Sequence, residues 1–315
     1  MIVILVLFFF ACGGNPGASE TTEPELPQAQ ATNARAIPVK AENGYAYNLL
    51  APLARHEMPL QLQEGSCLSM MGTDKVVMMN DEHGHLFVFD LPRGEVIDRY
   101  RIRKDGDYEG VEIVDDVLYI LRSDGRVYEV SDFTTENRTS EKYETELVEG
   151  DTEGLGYDPE TNQLLIACKN PVEVKGRKGE DYERAIYGFD LKEKKLSEEP
   201  FLVISFKAIK EWLEINANTS KEKERAEDFD EKKKSSFMPS GIAVHPETGH
   251  YFLIASSGQL FLEVDREGEI IHAQHLPRKL YPQPEGICFL PDGSLLISNE
   301  GRTGRGSLLR FAYQP

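Results

Sequence analysis

The sequence predicts an all-β fold, a five-bladed β-propeller that is closed by an N-terminal strand and carries a charged helical insertion. Three observations predict it: a short motif repeats at nearly constant spacing, each repeat has the pattern of short strands and tight turns, and one double-length step has helix composition. The copies of the motif are Ser66–Met70, Glu109–Ile113, Glu153–Tyr157, Ser240–Val244 and Glu285–Phe289. Successive copies start 43, 44, 87 and 45 residues apart, and a period of about 44 residues is typical of a four-stranded propeller blade.

The repeat that begins at Glu109 shows the strand pattern most clearly. Its apolar runs Gly110–Val114, Val117–Leu121 and Arg126–Val130 are separated by Asp-Asp and by an Asp-Gly turn. Short β-branched and aromatic runs joined by such turns are the sequence signal of β-hairpins. The later copies have Pro-Glu-Thr or Pro-Asp-Gly at their turns. We therefore expect one blade for each copy of the motif.

The 87-residue step contains one blade and an insertion rather than two blades. It holds one set of four predicted strands, between Glu153 and Phe206. Residues 207–236 have mixed charge and helix composition, without an apolar period of two. This pattern predicts a helical or mobile insertion and gives a count of five blades.

The last blade needs a strand from elsewhere in the chain. It ends at Phe311 with three predicted strands, and the segment Ala46–His56, which precedes the first blade, can supply the fourth. Closing the ring in this way covers a sheet edge that would otherwise be free to pair with another chain.

The N-terminal segment indicates export and a lipid anchor. The apolar run Ile2–Phe10 is too short to span a bilayer and leads into Ala11-Cys12-Gly13. This junction resembles a bacterial lipobox, although no Lys or Arg precedes the apolar run; the alternative is a buried N-terminal strand. The resemblance implies a signal peptide over 1–11, lipidation of Cys12 and a flexible tether over 12–42, with the propeller in 43–315. We therefore expect a membrane partner at the bacterial cell envelope, either the outer or the plasma membrane.

The charge of the chain restricts its partners. The formal net charge is −19, which argues against nucleic acid, because binding to phosphate requires clustered cations. A strongly negative field attracts cations, although acidity is also common in soluble exported domains. No protein or small-molecule ligand is identified by the composition.

Three cysteines remain after Cys12. Cys67, Cys168 and Cys288 lie in apolar strand patterns without the spacing of a metal site. We expect three buried small hydrophobic side chains. A Cys67–Cys288 disulfide between the first and last blades is the alternative.

The repeat also places a carboxylate at the same point of several blades. Glu109, Glu153 and Glu285 begin their inner strands, and Glu64 lies just upstream of its own. Carboxylates gathered on a propeller axis repel one another unless they are protonated or bridged by a cation. Ca²⁺ is the natural bridge, because it accepts six to eight oxygen ligands in flexible geometry. The alternative is structural: the Glu links neighbouring blades and the Gly allows close packing.

Polar residues follow the inner strand pairs and are expected at one mouth of the channel or in the next turn. They include Lys169-Asn170, Ser256-Ser257 and Asn299-Glu300.

The chain resembles a known family, the SdiA-regulated (YjiK-like) bacterial propellers. The resemblance covers about 45–315 and rests on the segments Asn80–Asp90, Asp107–Ile113, Gln283–Ile287 and Ile297–Gly301. It implies a five-bladed propeller with a bound calcium ion and no established activity. Cys67, in place of the family's usual Gly, and the charged insertion depart from the family pattern.

A looser similarity suggests an enzyme as the alternative function. In gluconolactonase- and paraoxonase-type propellers a metal-binding Glu begins an inner strand, which implies a calcium-dependent hydrolase of lactones or phosphoesters. The further Asn and Asp ligands of those enzymes have no counterpart that we can place here. We therefore expect a binding or scaffolding module of the cell envelope rather than an enzyme.

Overall fold

The computed structural model describes residues 41, 44–80, 82–147, 151–174, 176–302 and 304–315. The predicted signal peptide and Cys12 lie outside the described residues, as does nearly all of the predicted tether. In the described part, five antiparallel sheets form the blades of a propeller, which confirms the predicted fold class and blade count.

The strands are numbered in chain order. The first, β1, is Ala54–Glu57. Blade 1 consists of β2 (Gly65–Met71), β3 (Lys75–Asn80), β4 (His85–Asp90) and β5 (Glu95–Arg101). Blade 2 consists of β6 (Tyr108–Val114), β7 (Val117–Arg122), β8 (Val127–Ser131) and β9 (Thr139–Tyr143).

Blade 3 is the most elaborate. Its inner strands are β10 (Thr152–Asp158) and β11 (Gln163–Cys168), which are followed by a small hairpin of β12 (Glu173–Val174) and β13 (Arg177–Lys178). Its outer strands are β14 (Glu183–Asp190), β15 (Lys195–Leu196) and β16 (Leu202–Ser205). β14 pairs with both β15 and β16.

Blades 4 and 5 complete the ring. Blade 4 consists of β17 (Gly241–Val244), β18 (Tyr251–Ala255), β19 (Leu260–Val264) and β20 (Ile270–His275). Blade 5 consists of β21 (Pro284–Phe289), β22 (Leu295–Asn299), β23 (Ser307–Phe311) and β1.

The ring is closed as the sequence predicts, by a strand from before the first blade. β1 pairs antiparallel with β23, with Ala54 opposite Arg310. The strand is shorter than the predicted segment, whose earlier part is anchored by side chains instead. The Tyr47 hydroxyl donates to the Gly293 carbonyl at 2.7 Å, and the Tyr281 hydroxyl donates to the Leu49 carbonyl at 2.7 Å.

The hydrophobic core is divided among the five interfaces between neighbouring blades. Successive strand residues face opposite sides of a sheet, so Leu164 packs towards blade 2 while Leu165 packs towards blade 4. Cys67, Cys168 and Cys288 are buried and free, so the disulfide alternative is wrong and the cysteines act as small core residues. Each inner strand is therefore buried on both faces.

The insertion is helical, as predicted. It contains α1 (Phe206–Asn216), α2 (Ser220–Asp228) and a 3₁₀ turn at Lys234–Ser236. In α1, Phe206, Ile209 and Leu213 are buried against blades 3 and 4. Neither described helix is long and apolar enough to cross a membrane.

The insertion is also fastened by a buried cation. Arg184, in β14, is fully buried, with its guanidinium over the ring of Phe206. It donates to the carbonyl of Lys234 and, at 3.1 Å, to the carbonyl of Asp181. The bond to Lys234 joins the far end of the insertion to blade 3.

The glycine of the Glu-Gly motif allows the inner strands to approach closely. A Cβ at Gly110 would overlap the Cβ of Leu155 in blade 3, and one at Gly241 would lie 2.5 Å from the Glu285 carbonyl in blade 5. The glycine thus allows the close packing of blades that the sequence analysis gave as its structural role.

We expect Gly110→Ala to destabilise the propeller by about 1–3 kcal/mol, because the added methyl group forces neighbouring blades apart. Urea unfolding measures the effect. Gly304→Ala is the matched control, because the nearest atom to its Cβ would be 3.7 Å away. Equal stability of the two variants would contradict this account of the repeat.

Candidate functional site

A β-bulge delivers the motif glutamate to the propeller axis. In blade 2, Tyr108 pairs with Arg122 and Gly110 pairs with Leu121, so Glu109 is an extra residue on the inner strand. Blade 3 has the same irregularity, which makes Glu153 the extra residue there. A bulge redirects a side chain out of the regular alternation, and here the repeated bulge places equivalent residues of different blades together.

The motif glutamates are Glu109, Glu153 and Glu285. Two of them, Glu109 and Glu285, line one narrow cavity. The cavity has a volume of about 10 Å³, room for about one water molecule. Its other lining residues come from the same motif in all five blades: Cys67, Leu68, Gly110, Gly154, Leu155, Ser240, Gly241, Ile242, Gly286 and Ile287. Glu153 immediately precedes Gly154 of this lining.

Glu64, the fourth predicted site residue, does not line this cavity. It is exposed in the turn before β2. The register shift in blade 1 falls between Gly65 and Cys67, so Ser66 occupies the position that corresponds to Glu109. Glu64 corresponds instead to the residue two positions before the motif glutamate.

Burial and mutual repulsion raise the pKa of the axial glutamates. Burial first, and then Glu153, Asp107 and Glu285, raise the pKa of Glu109 well above its ordinary value. Burial and the nearby Glu300 raise the pKa of Glu285 to about 8, and its exposed fraction is only 7%. Without a cation, both carboxyls therefore hold a proton at neutral pH.

Glu153 differs from the other two because a lysine matches its charge. Lys169 Nζ lies 2.5 Å from Glu153 Oε1 and 3.7 Å from Asp151 Oδ2. Burial still raises the pKa of Glu153, while the ammonium group of Lys169 works in the opposite direction. The sequence places Lys169 at the channel mouth but does not assign it to this ion pair.

A second set of acidic residues surrounds the axial glutamates. Asp107 accepts a hydrogen bond from the Ser123 hydroxyl, and Glu300 accepts one from the Gln283 amide. Sequence reasoning missed Asp107 and Asp151 as site residues. The signal was available, because an acidic residue stands two positions before the glutamate in both blades.

Two polar residues, Ser240 of blade 4 and Asn299 of blade 5, lie beside Pro284, the residue before Glu285. The Ser240 hydroxyl donates to the Pro284 carbonyl at 2.7 Å, which links blades 4 and 5. Asn299 pairs in register with Pro284 and is 2% exposed. Both polar atoms of its side-chain amide are buried without a hydrogen-bond partner in the part of the chain that the structure describes. An amide oxygen is a common calcium ligand.

The donor set fits a cation by charge and atom type, without forming a ready cage. Carboxyl oxygens and the unpartnered Asn299 amide are the hard ligands that Ca²⁺ prefers. However, no group of three or more His, Cys, Asp or Glu side chains among the described residues is arranged to hold a metal ion. Binding therefore requires the side chains of Glu109 and Glu285 to lose their protons and reorient.

Fold and site together define a five-bladed propeller with an acidic, buried axis. The chain belongs to the SdiA-regulated family, whose pattern it matches over residues 70–303. No curated protein matches the sequence.

Solved propellers of varied function share the fold. Glutaminyl cyclase from Myxococcus xanthus has 10% identity and a TM-score of 0.53, with 84% of this chain and 96% of that chain covered. A catalytically inactive virginiamycin B lyase from Staphylococcus aureus, with quinupristin, has 13% identity and a TM-score of 0.42, with 91% and 88% covered. A luciferin-regenerating enzyme has 10% identity and a TM-score of 0.45, with 83% and 95% covered. At 10% identity, the likeness to glutaminyl cyclase shows the fold alone.

We expect the contribution of Glu285 to the stability of the metal-free protein to fall as the pH rises from 5 to 8, by on the order of 2 kcal/mol. The folded state keeps the Glu285 proton up to a pKa of about 8, while the ordinary value is 4.5. Between these values the folded state holds more of this proton than the unfolded state does, so this contribution falls with rising pH. Buried histidines such as His245 and His272, whose pKa is lowered to about 4, act in the opposite direction, so the contribution is measured against a variant.

Urea unfolding in EDTA at several pH values measures this contribution as the difference in stability between the wild type and Glu285→Gln. Glu193→Gln, in an exposed turn, should follow the wild type at every pH. A difference between the wild type and Glu285→Gln that stays constant from pH 5 to 8 would contradict the raised pKa of Glu285.

Proposed function

We propose that this protein is a binding module of the bacterial cell envelope, in which Ca²⁺ binds at the acidic axis. The observation that carries the proposal is the convergence of motif glutamates from separate blades on one axis, where Glu153 and Glu285 are buried and Glu109 is half-buried. Two of them, Glu109 and Glu285, have strongly raised pKa values. A divalent cation would replace the protons and relieve the repulsion among these carboxylates.

Glu109, Glu285 and the Asn299 amide are the groups that we propose as calcium ligands. The ammonium group of Lys169 already matches the charge of Glu153, so Glu153 has less need of a metal. Glu64 is exposed. It corresponds to the residue two positions before the motif glutamate, so it would lie at the outer end of the channel. Bound calcium would join blades 2 and 5 across the axis and supply a fixed positive charge there.

The geometry supports binding rather than hydrolysis at this axis. A calcium-dependent hydrolase needs an open pocket above the ion, with room for substrate and for an attacking water. The cavity beside Glu109 and Glu285 is about 10 Å³, which is far below the size of a typical substrate pocket.

Calcium titration of the full chain in detergent, after treatment with EDTA, tests the metal site. We expect one calcium ion to bind and protons to be released at pH 7, because Glu109 and Glu285 start protonated. Isothermal titration calorimetry in two buffers of different ionisation enthalpy measures both quantities. The melting temperature should rise on binding.

The variants separate a calcium site from a purely structural cluster. Glu109→Gln/Glu285→Gln should lose calcium binding at least tenfold, while Glu193→Gln should bind as the wild type does. If calcium produces neither heat nor a change in melting temperature, the glutamates are structural links between blades. That result would also remove the calcium-dependent hydrolase.

The membrane location is a separate part of the proposal and depends on Cys12. In a bacterial host, the wild-type protein should partition into the detergent phase of Triton X-114, and Cys12→Ser should move it to the aqueous phase, because two acyl chains anchor stably. Mass spectrometry of the N-terminal peptide checks the modification. Cys168→Ser is the control, and an unmodified wild-type Cys12 would contradict the anchor.

A further inference from the structure

A second cavity, of about 490 Å³, lies between the helical insertion and blade 4. Residues of α2 and of the following 3₁₀ turn form one wall, and the turn Ser257–Gln259 and the end of β20 form the other. Its lining shares no residue with the axial cavity. Small-molecule sites typically have volumes of about 300–1,000 Å³, so this cavity is large enough for a ligand.

The two walls are held together by direct contacts. Gly258 has a φ of +97°, and a Cβ there would overlap the carbonyl of Ser236 in the insertion. The Met238 amide donates to the Ser257 carbonyl at 3.2 Å, and the Ser257 hydroxyl donates to the Ser235 carbonyl at 3.3 Å. The cavity is therefore formed before any ligand arrives.

Gln259 presents an unused acceptor in this cavity. The residue is 7% exposed and lies in the left-handed region, with a φ of +51°. Its amide nitrogen donates to the Ser256 carbonyl at 3.0 Å, which fixes the orientation of the amide. The oxygen, Oε1, is buried and has no hydrogen-bond partner among the described residues. A buried acceptor without a partner destabilises the folded protein, so a ligand that donates to it gains affinity.

His275 presents a second unused acceptor. Its ring is hydrogen-bonded to the backbone of Arg225, and Nε2 is buried without a partner in the described part of the chain. Nδ1 therefore makes the bond to the Arg225 carbonyl. Burial and the charge of Arg225 lower the pKa of His275, so the ring is neutral at pH 7. In this tautomer Nε2 accepts a hydrogen bond.

The rim of the same cavity is basic. Arg225, Lys233 and Arg278 line it, with Asp228 as the carboxylate beside them. No ion pair among the described residues involves any of these three cations; the ion pair nearest along the chain to Lys233 is that of Lys234 with Asp181. Three cationic side chains around one cavity, without ion pairs to described residues, are unexpected in a chain with a formal net charge of −19. They suit a carboxylate or phosphate group.

We infer that this cavity binds a small anionic polyol, a sugar acid or a sugar phosphate. Its hydroxyl groups would donate to Gln259 Oε1 and His275 Nε2, and its anionic group would lie among the rim cations. Phe229, Leu276 and Pro277, which also line the cavity, would pack against the C–H groups of the ligand. The two acceptors require hydroxyl donors that are separated from the anionic group, as in a polyol chain.

Titration calorimetry of the full chain in detergent tests the inference with four probes: D-gluconate, D-glucose 6-phosphate, D-glucose and inorganic phosphate. We expect one or both anionic polyols to bind at least tenfold more tightly than D-glucose and than inorganic phosphate. The preference between gluconate and the sugar phosphate identifies the anionic group. Failure of both polyols to bind overturns the inference, and so does phosphate binding as tight as theirs.

Variants locate the binding. Gln259→Leu removes one acceptor and Arg278→Glu reverses one exposed rim charge, and each should weaken binding at least tenfold. Lys221→Glu, an exposed charge reversal on α2 outside the cavity lining, should change binding less than threefold. If the melting curve of Gln259→Leu shows that it does not fold, the affinity of Arg278→Glu by itself tests the location of the ligand. Wild-type affinity in Arg278→Glu would place the ligand elsewhere.

Discussion

The close approach of five inner strands around one axis is the constraint on which the rest of this structure depends. Glycine after the bulge lets neighbouring strands come into contact, as Gly110 does beside Leu155. The bulge then turns the extra residue, Glu109 in blade 2, towards the axis. Because the axis has almost no room for water, each carboxyl placed there loses hydration and its pKa rises. Packing and chemistry thus follow from the same local geometry.

The carboxyl groups of the motif glutamates also repel one another at the axis. Lys169 relieves this repulsion at Glu153, and protonation relieves it at Glu109 and Glu285. A bound cation would relieve it more completely, at the cost of releasing those protons. A structural role and a metal-binding role for the glutamates are therefore compatible, since a metal ion would join the same blades that the glycines bring together.

The insertion adds a region of opposite chemical character. It departs from the repeat, yet it is fixed to the propeller by buried side chains such as Arg184 and Phe206. Its packing against blade 4 creates a cavity with basic side chains and unpartnered acceptors in a strongly acidic protein. The proposed calcium site of the core fold and the proposed anionic-ligand site of the insertion share no lining residue.

The sequence by itself determined the blade count, the closing strand, the helical insertion and the convergence of the motif glutamates. These follow from a repeat of fixed length and from local strand and turn preferences, which are properties of short segments. Only the tertiary structure decided that Lys169 pairs with Glu153, that Glu64 stays outside the axial cavity, and that Gln259 lines a second cavity. Ion pairs, bulge register and cavities depend on distances between segments far apart in the chain, and no local pattern encodes those distances.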